Sequence, residues 1–129
     1  MTGLAPVLAV GFVGLLGALA VLQLLLIVGM PLGRFAWGGQ QHRLSPRLRV
    51  AAGLSIVIYA VFAGIALAHA HVIASPVPSL IIVIAMWIIT TYLLLSVLPN
   101  LASKSIHEKR LMTPVSTVLA ILALLIALV

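Results

Sequence analysis

The sequence has no cysteine and a single acidic residue, Glu108, among its 129 positions. The first absence excludes disulfides, thiolate metal sites and quinone-linked dithiol chemistry. The second excludes a carboxylate pair for general acid–base or glycosidase work, and a carboxylate cage for magnesium or calcium. Walker loops, GxSxG elbows and HExxH helices are missing as well. Charged residues make up 6% of the chain and aromatic ones 5%. With so little chemistry to draw on, an enzyme is not expected, and no cofactor or metal is implied.

What is present is apolar sequence. Hydrophobic residues account for 64% of the chain, and the mean hydropathy is +1.38. A soluble domain of this size needs far more polar surface to cover its core. The apolar runs instead exceed the roughly 18 to 20 residues that cross a hydrocarbon core about 30 Å thick. The expectation is an all-α, four-helix transmembrane bundle, up-down-up-down, forming a single integral membrane domain over residues 1–129. Its spans fall near residues 4–28, 46–68, 79–98 and 106–129.

Local signals set these limits. Ala18-Leu19-Ala20 has the look of a signal-peptide cleavage site. No Lys or Arg precedes it, however, and the apolar run continues to Gly29, too long for an h-region, so it reads as the first span. Gly29 followed by Pro31 is a stop signal. Ser45-Pro46 reads as N-cap and first helical position. The third span follows the breaker run Ser75-Pro-Val-Pro78 and is expected to stop near Pro99-Asn100. A fourth span starting at Pro114 is only about 24 Å long, short for a bilayer. Ser105-Ile-His-Glu108 has the form of a capping box, and a helix starting there is about 36 Å long with Pro114 inside it. The single bent helix is preferred over a surface helix broken at Thr113-Pro114.

Orientation follows from the basic residues. Arg34, Arg43, Arg47 and Arg49 lie between or at the edges of spans one and two, and Lys104, Lys109 and Arg110 between spans three and four. The link 69–79 and both tails carry neither Lys nor Arg. The positive-inside rule makes both basic loops cytoplasmic and places both termini outside. The formal net charge of +6 is then directed at anionic head groups of the inner leaflet rather than at nucleic acid, for which the chain has no soluble module.

Several groups are candidates for packing or binding. Gly11, Gly14 and Gly17 with Ala18, and Ala60, Gly64 and Ala68, form two small-residue strips where another helix can approach closely. Gln23, Ser55, Tyr59, Thr90, Thr91, Tyr92 and Ser96 lie within spans and are expected to hydrogen-bond between helices; a lined cavity is the less favoured reading. His69 and His71 form an H-x-H pair with no carboxylate or thiolate to help, so metal binding is not expected there. The segment 34–43 combines Arg34, Trp37, Gly38, Gly39 and His42. Trp37 suits an interfacial anchor, and the two glycines suit either a turn or a close backbone approach to a ligand. The second inner segment offers Asn100, Ser103, Glu108 and Arg110. There Glu108 either completes the local capping box, the favoured reading, or pairs across to Arg34 or Arg43. It is not expected to turn into the membrane. The two inner segments are expected to pack as one polar cap.

The stretches Met30-Pro-Leu-Gly-Arg-Phe-Ala-Trp-Gly-Gly-Gln-Gln-His42 and Asn100-Leu-Ala-Ser-Lys-Ser-Ile-His-Glu-Lys-Arg-Leu-Met-Thr-Pro114 resemble those of a group of small, uncharacterised bacterial four-span membrane proteins. That group carries A-W-G-G…H and N-x-A-S-x-S…E-K/R…M-x-P inner-loop motifs. The doubled Gln40-Gln41 departs from the pattern by one residue. The resemblance implies a four-span fold and the bacterial inner membrane, and it brings no activity. The functional expectation is a non-enzymatic module that binds a lipid, an amphiphile or a partner membrane protein through its cytoplasmic face. The alternative is a small oligomeric transporter or channel. Expected partners are membrane lipids and a homo-oligomeric or other membrane-protein partner.

Overall fold

The structure, a computed structural model, describes residues 3–29, 31, 45–103 and 105–129. All regular structure among them is helical: α1 (Leu4–Ile27), α2 (Pro46–His69), α3 (Ser79–Leu101) and α4 (Ile106–Leu128). Each is 23 or 24 residues long, with a best window of mean hydropathy 2.4 to 2.5. At 1.5 Å per residue each is about 35 Å long, enough to cross a bilayer core.

The ends follow the cap chemistry. Ser45 Oγ accepts from the Leu48 N–H (3.4 Å) and Pro46 takes the first position of α2, while Ser105 Oγ accepts from the Glu108 N–H (3.3 Å) at the start of α4. α1 closes at Gly29, whose φ of +96° is a left-handed conformation open to glycine without strain. The Arg49 guanidinium lies against Gly29, where a cation suits the negative end of the α1 dipole. α2 closes with His71 in the left-handed region (φ 59°), with its N–H bonded to Ala68 and that of Val72 to Leu67, the Schellman pattern.

Two boundaries rest on proline. α4 runs unbroken through Pro114, so it is one helix starting at the Ser105 cap. α3 does not stop at Pro99-Asn100; it continues to Leu101 with Pro99 inside. Proline removes one N–H near the helix end, but the Ala102 N–H still reaches Leu98 (3.0 Å) and the Asn100 side-chain amide donates to the Ser96 carbonyl (3.2 Å).

The helices alternate in direction. The starts of α1 and α3 meet the ends of α2 and α4 around one hollow, and the opposite helix ends meet around another. α1 packs mainly on α2 and α3 mainly on α4, with thinner seams between α1 and α4 and between α2 and α3. The core between them is an apolar layer that includes Phe12, Leu16, Met86, Ile89, Ala120 and Ala123. The outer faces are covered with exposed Val, Leu and Ile, as a lipid-facing surface requires.

The glycine strips are not where the helices touch. Gly11, Gly14 and Gly17 are exposed, and a Cβ at any of them would meet nothing within 4 Å; the same holds for the half-buried Gly64. The α1 seam instead carries Ala5, Ala9, Phe12, Leu16, Gln23 and Leu26. Gly14 lies about 200° around the helix from Phe12, on the far side. Close approach is made by alanines: Ala5 and Ala9 on α1, Ala52 and Ala66 on α2, Ala120 and Ala123 on α4.

Candidate functional site

The seam of α4 runs through Glu108, Met112, Ser116, Leu119, Ala123 and Ile126, spaced by threes and fours. Glu108 therefore faces the same way as the core residues below it, and it is buried to 6% exposure. Lys109 and Arg110 are about 100° and 200° further round and are exposed. The α1 seam brings Gln23 to the same level, at 8% exposure. This corrects the expectation that the chain's one carboxylate stays out of the bundle.

Glu108 and Gln23 line a cavity of about 350 Å³ between all four helices. Its floor is formed by α1 and α4 through Leu19, Leu22, Gln23, Glu108, Met112 and Ser116, all buried or half-buried. The exposed lining residues Ile58, Tyr92 and Pro99 belong to α2 and α3. The mouth thus opens between those two helices, on a flank where Leu54, Val57, Leu95 and Leu98 are also exposed. Beside this mouth, Phe62 of α2 and Tyr92 of α3 meet edge to face, with ring centroids 5.8 Å apart. The space extends from Glu108 in the first turn of α4 to Leu119, about 17 Å along that helix.

The polar lining has a definite donor and acceptor balance. Ser55 donates to the Ala51 carbonyl (3.1 Å), Ser96 to Leu93 (2.6 Å) and Ser116 to Thr113 (3.1 Å). Thr90, Thr91 and Thr117, away from the lining, bond back within their own helices in the same way. The expected bonds between helices are thus replaced at every one of these hydroxyls by a bond to a carbonyl three or four residues back, which is within reach without a partner helix. Tyr59 differs, in that its hydroxyl lies beside the Gln23 side chain across the α1–α2 seam. Gln23 Oε1 itself is buried and has no hydrogen-bond partner among the described residues.

Of the residues singled out in the sequence, Asn100 and Glu108 meet at this cavity. Ser103 does not line it; its Oγ accepts from the Ser105 N–H (3.2 Å) in the α3–α4 link. Arg110 points away. Arg34, Trp37, Gly38, Gly39 and His42 lie outside the described residues, as do the cross-loop ion pair and the polar cap built on them. The cavity itself, the less favoured reading of the polar span residues, is what the helices form. His69 and His71 line the second hollow, about 680 Å³, at the opposite end of the bundle.

Fold and site together define a multi-pass helical membrane protein with a polar, half-open cavity between its helices. No family model, curated protein or solved structure matches the chain.

Proposed function

We propose that this chain is a non-enzymatic binding protein of the bacterial cytoplasmic membrane, and that it holds the polar end of a lipid-phase amphiphile in the cavity around Gln23 and Glu108. The observation that carries this reading is the buried, unpartnered Gln23 Oε1 in a cavity that Glu108 also lines. Polar groups at membrane depth are costly, and their usual justification is a ligand or a pathway. The volume lies at the low end for ligand sites, which suits a head group with the start of a chain rather than a whole lipid. A mouth between two lipid-facing helices suits a ligand that arrives from the bilayer. In the proposed orientation both termini are outside and the cavity lies in the cytoplasmic half. There Arg47, Arg49, Lys109 and Arg110 are placed to hold anionic head groups around it. A homo-oligomer or another membrane protein remains a compatible partner for the exposed outer faces.

A small oligomeric transporter or channel is the second reading, favoured by polar side chains from all four helices facing one space. Against passage through a single copy stands the apolar layer of Phe12, Leu16, Met86 and Ala123, which fills the bundle between the two hollows.

Native mass spectrometry of the protein released from mild detergent tests the binding reading. Wild type is expected to retain an adduct of lipid or amphiphile mass. Ser55→Phe and Ser96→Phe, which fill the cavity, are expected to lose it while keeping their helical circular dichroism. A bare wild type, or the same adduct on all three, overturns the reading.

A further inference from the structure

We propose that the polar end held in this cavity is a neutral hydroxyl, that of a long-chain alcohol or an acylglycerol. The inference rests on the binding reading above and names the chemistry of its ligand. Gln23 is 8% exposed, lines the space, and has a carbonyl oxygen without a partner among the described residues. Its amide also carries two N–H donors. The terminal torsion of glutamine is broad and roughly two-fold, so either end of the amide can turn toward the space. What Gln23 presents to a ligand is thus a carboxamide edge, with acceptor and donor side by side. The Tyr59 hydroxyl beside it has the same double character. A group that completes such a pair must donate one hydrogen bond and accept another. A hydroxyl does both with one oxygen.

The rest of the lining is mixed in the same sense. Ser55, Ser96 and Ser116 turn their protons to carbonyls of their own helices and keep lone pairs to offer. Asn100 commits one N–H to the Ser96 carbonyl and retains a second. Acceptors and donors both remain, so a ligand that only accepts or only donates leaves one kind unused. Around them the surface is apolar, with Leu19, Leu22, Leu93, Val115 and Leu119. Carrying an ammonium, sulfate or phosphate head into such surroundings costs far more than carrying in a hydroxyl. Glu108 already has a partner, and the recognition makes no use of its charge. A methyl ether is the informative contrast. It keeps the chain and the accepting oxygen of the alcohol but lacks the O–H, so it leaves the Gln23 oxygen without a donor. Apolar burial alone favours the ether, which carries one more methyl group.

The test is binding of tritiated dodecanol to the full chain in phosphatidylcholine nanodiscs at neutral pH. Empty nanodiscs give the partition background, and each competitor is counted as its mole fraction in the bilayer. Saturable, protein-dependent binding is expected. Unlabelled dodecanol should displace it at least about tenfold better than dodecyl methyl ether, dodecylamine or dodecyl sulfate. Gln23→Met should weaken dodecanol binding by about tenfold and bring it level with the ether, whose own binding should change little. Should Gln23→Met fail to fold, the order of competitors on wild type decides alone. Displacement by the ether or a charged probe as good as by dodecanol overturns this inference, as does a preference for the alcohol that survives in folded Gln23→Met. So does a protein that retains its adduct yet binds no dodecanol. In each case the binding reading stands as long as wild type keeps an adduct that Ser55→Phe loses. No saturable binding by any probe, with no retained adduct, removes both. Monolauroylglycerol as a competitor separates two sources of the same chemistry. Stronger displacement than by dodecanol identifies an acylglycerol as the occupant, and weaker displacement identifies a simple alcohol.

Discussion

Thr90 is almost fully buried, yet its hydroxyl donates to Met86 in its own helix at 2.8 Å and to no neighbour. A hydroxyl used in this way adds little to the bundle, because the same bond exists in the isolated helix. Thr90→Val keeps the shape and removes only that bond, so it is expected to change unfolding stability by less than about 1 kcal/mol. Equilibrium unfolding in mixed micelles checks this, and a loss well above that figure would reveal a bond between helices. Glu108 and Gln23 differ from Thr90 in bringing acceptor oxygens inward, which no carbonyl of their own helices can satisfy, and Gln23 Oε1 has no partner among the described residues. Their inward placement was legible in part: each sits on an apolar seam at helical spacing, Glu108 with Met112 and Leu119, Gln23 with Leu16 and Leu26. Reading Glu108 only as a capping residue hid this. The cap uses its backbone N–H, whereas the direction of its side chain is set by the helix and follows the seam. The donor balance of the cavity had no such signal, since it depends on which carbonyl each hydroxyl reaches.

At the scale of the element, the helix starts were written plainly in the chain. Ser45-Pro46 and Ser105 specify theirs through side-chain oxygens, and Gly29 ends α1 through its positive φ. Proline was the poorer guide: Pro99 reads as a stop and proves to be the third residue from the end of α3. The packing face of α1 was misread for a related reason. Glycine permits a close approach without demanding one, whereas the face that packs is set by where the large apolar side chains Phe12 and Leu16 must be buried. This reverses the expected outcome of a simple pair of substitutions. Gly14→Leu enters open space and should leave thermal unfolding in nanodiscs unchanged or slightly raised, as leucine favours helix over glycine. Ala123→Leu enters a fully buried seam and should lower stability by about 1 to 3 kcal/mol. The opposite ranking would place the glycine face inside a contact.

For the whole molecule, the sidedness of the bundle rests on seven Lys and Arg in or beside two connections that the up-down order brings to the same end. The charge count behind the proposed orientation points one way, since the sole acid is buried and the far link 70–78 holds no Lys or Arg. A reporter active only in the cytoplasm, fused after Val129, is expected to stay silent, and one fused within the α1–α2 connection to be active. The reverse pattern would invert the proposed orientation.

The pairing of helices has a further consequence for how the protein comes into being. Because most polar side chains within the spans complete their bonds inside single helices, α1–α2 and α3–α4 can each be finished as inserted hairpins before they meet. The cavity belongs to neither hairpin: Gln23 and Tyr59 come from the first, Asn100 and Glu108 from the second. It exists only after docking, across the thinnest seams in the bundle. An occupant that touches both halves binds the docked state alone and shifts the docking equilibrium by mass action, so that it acts as a late assembly factor for the protein that holds it.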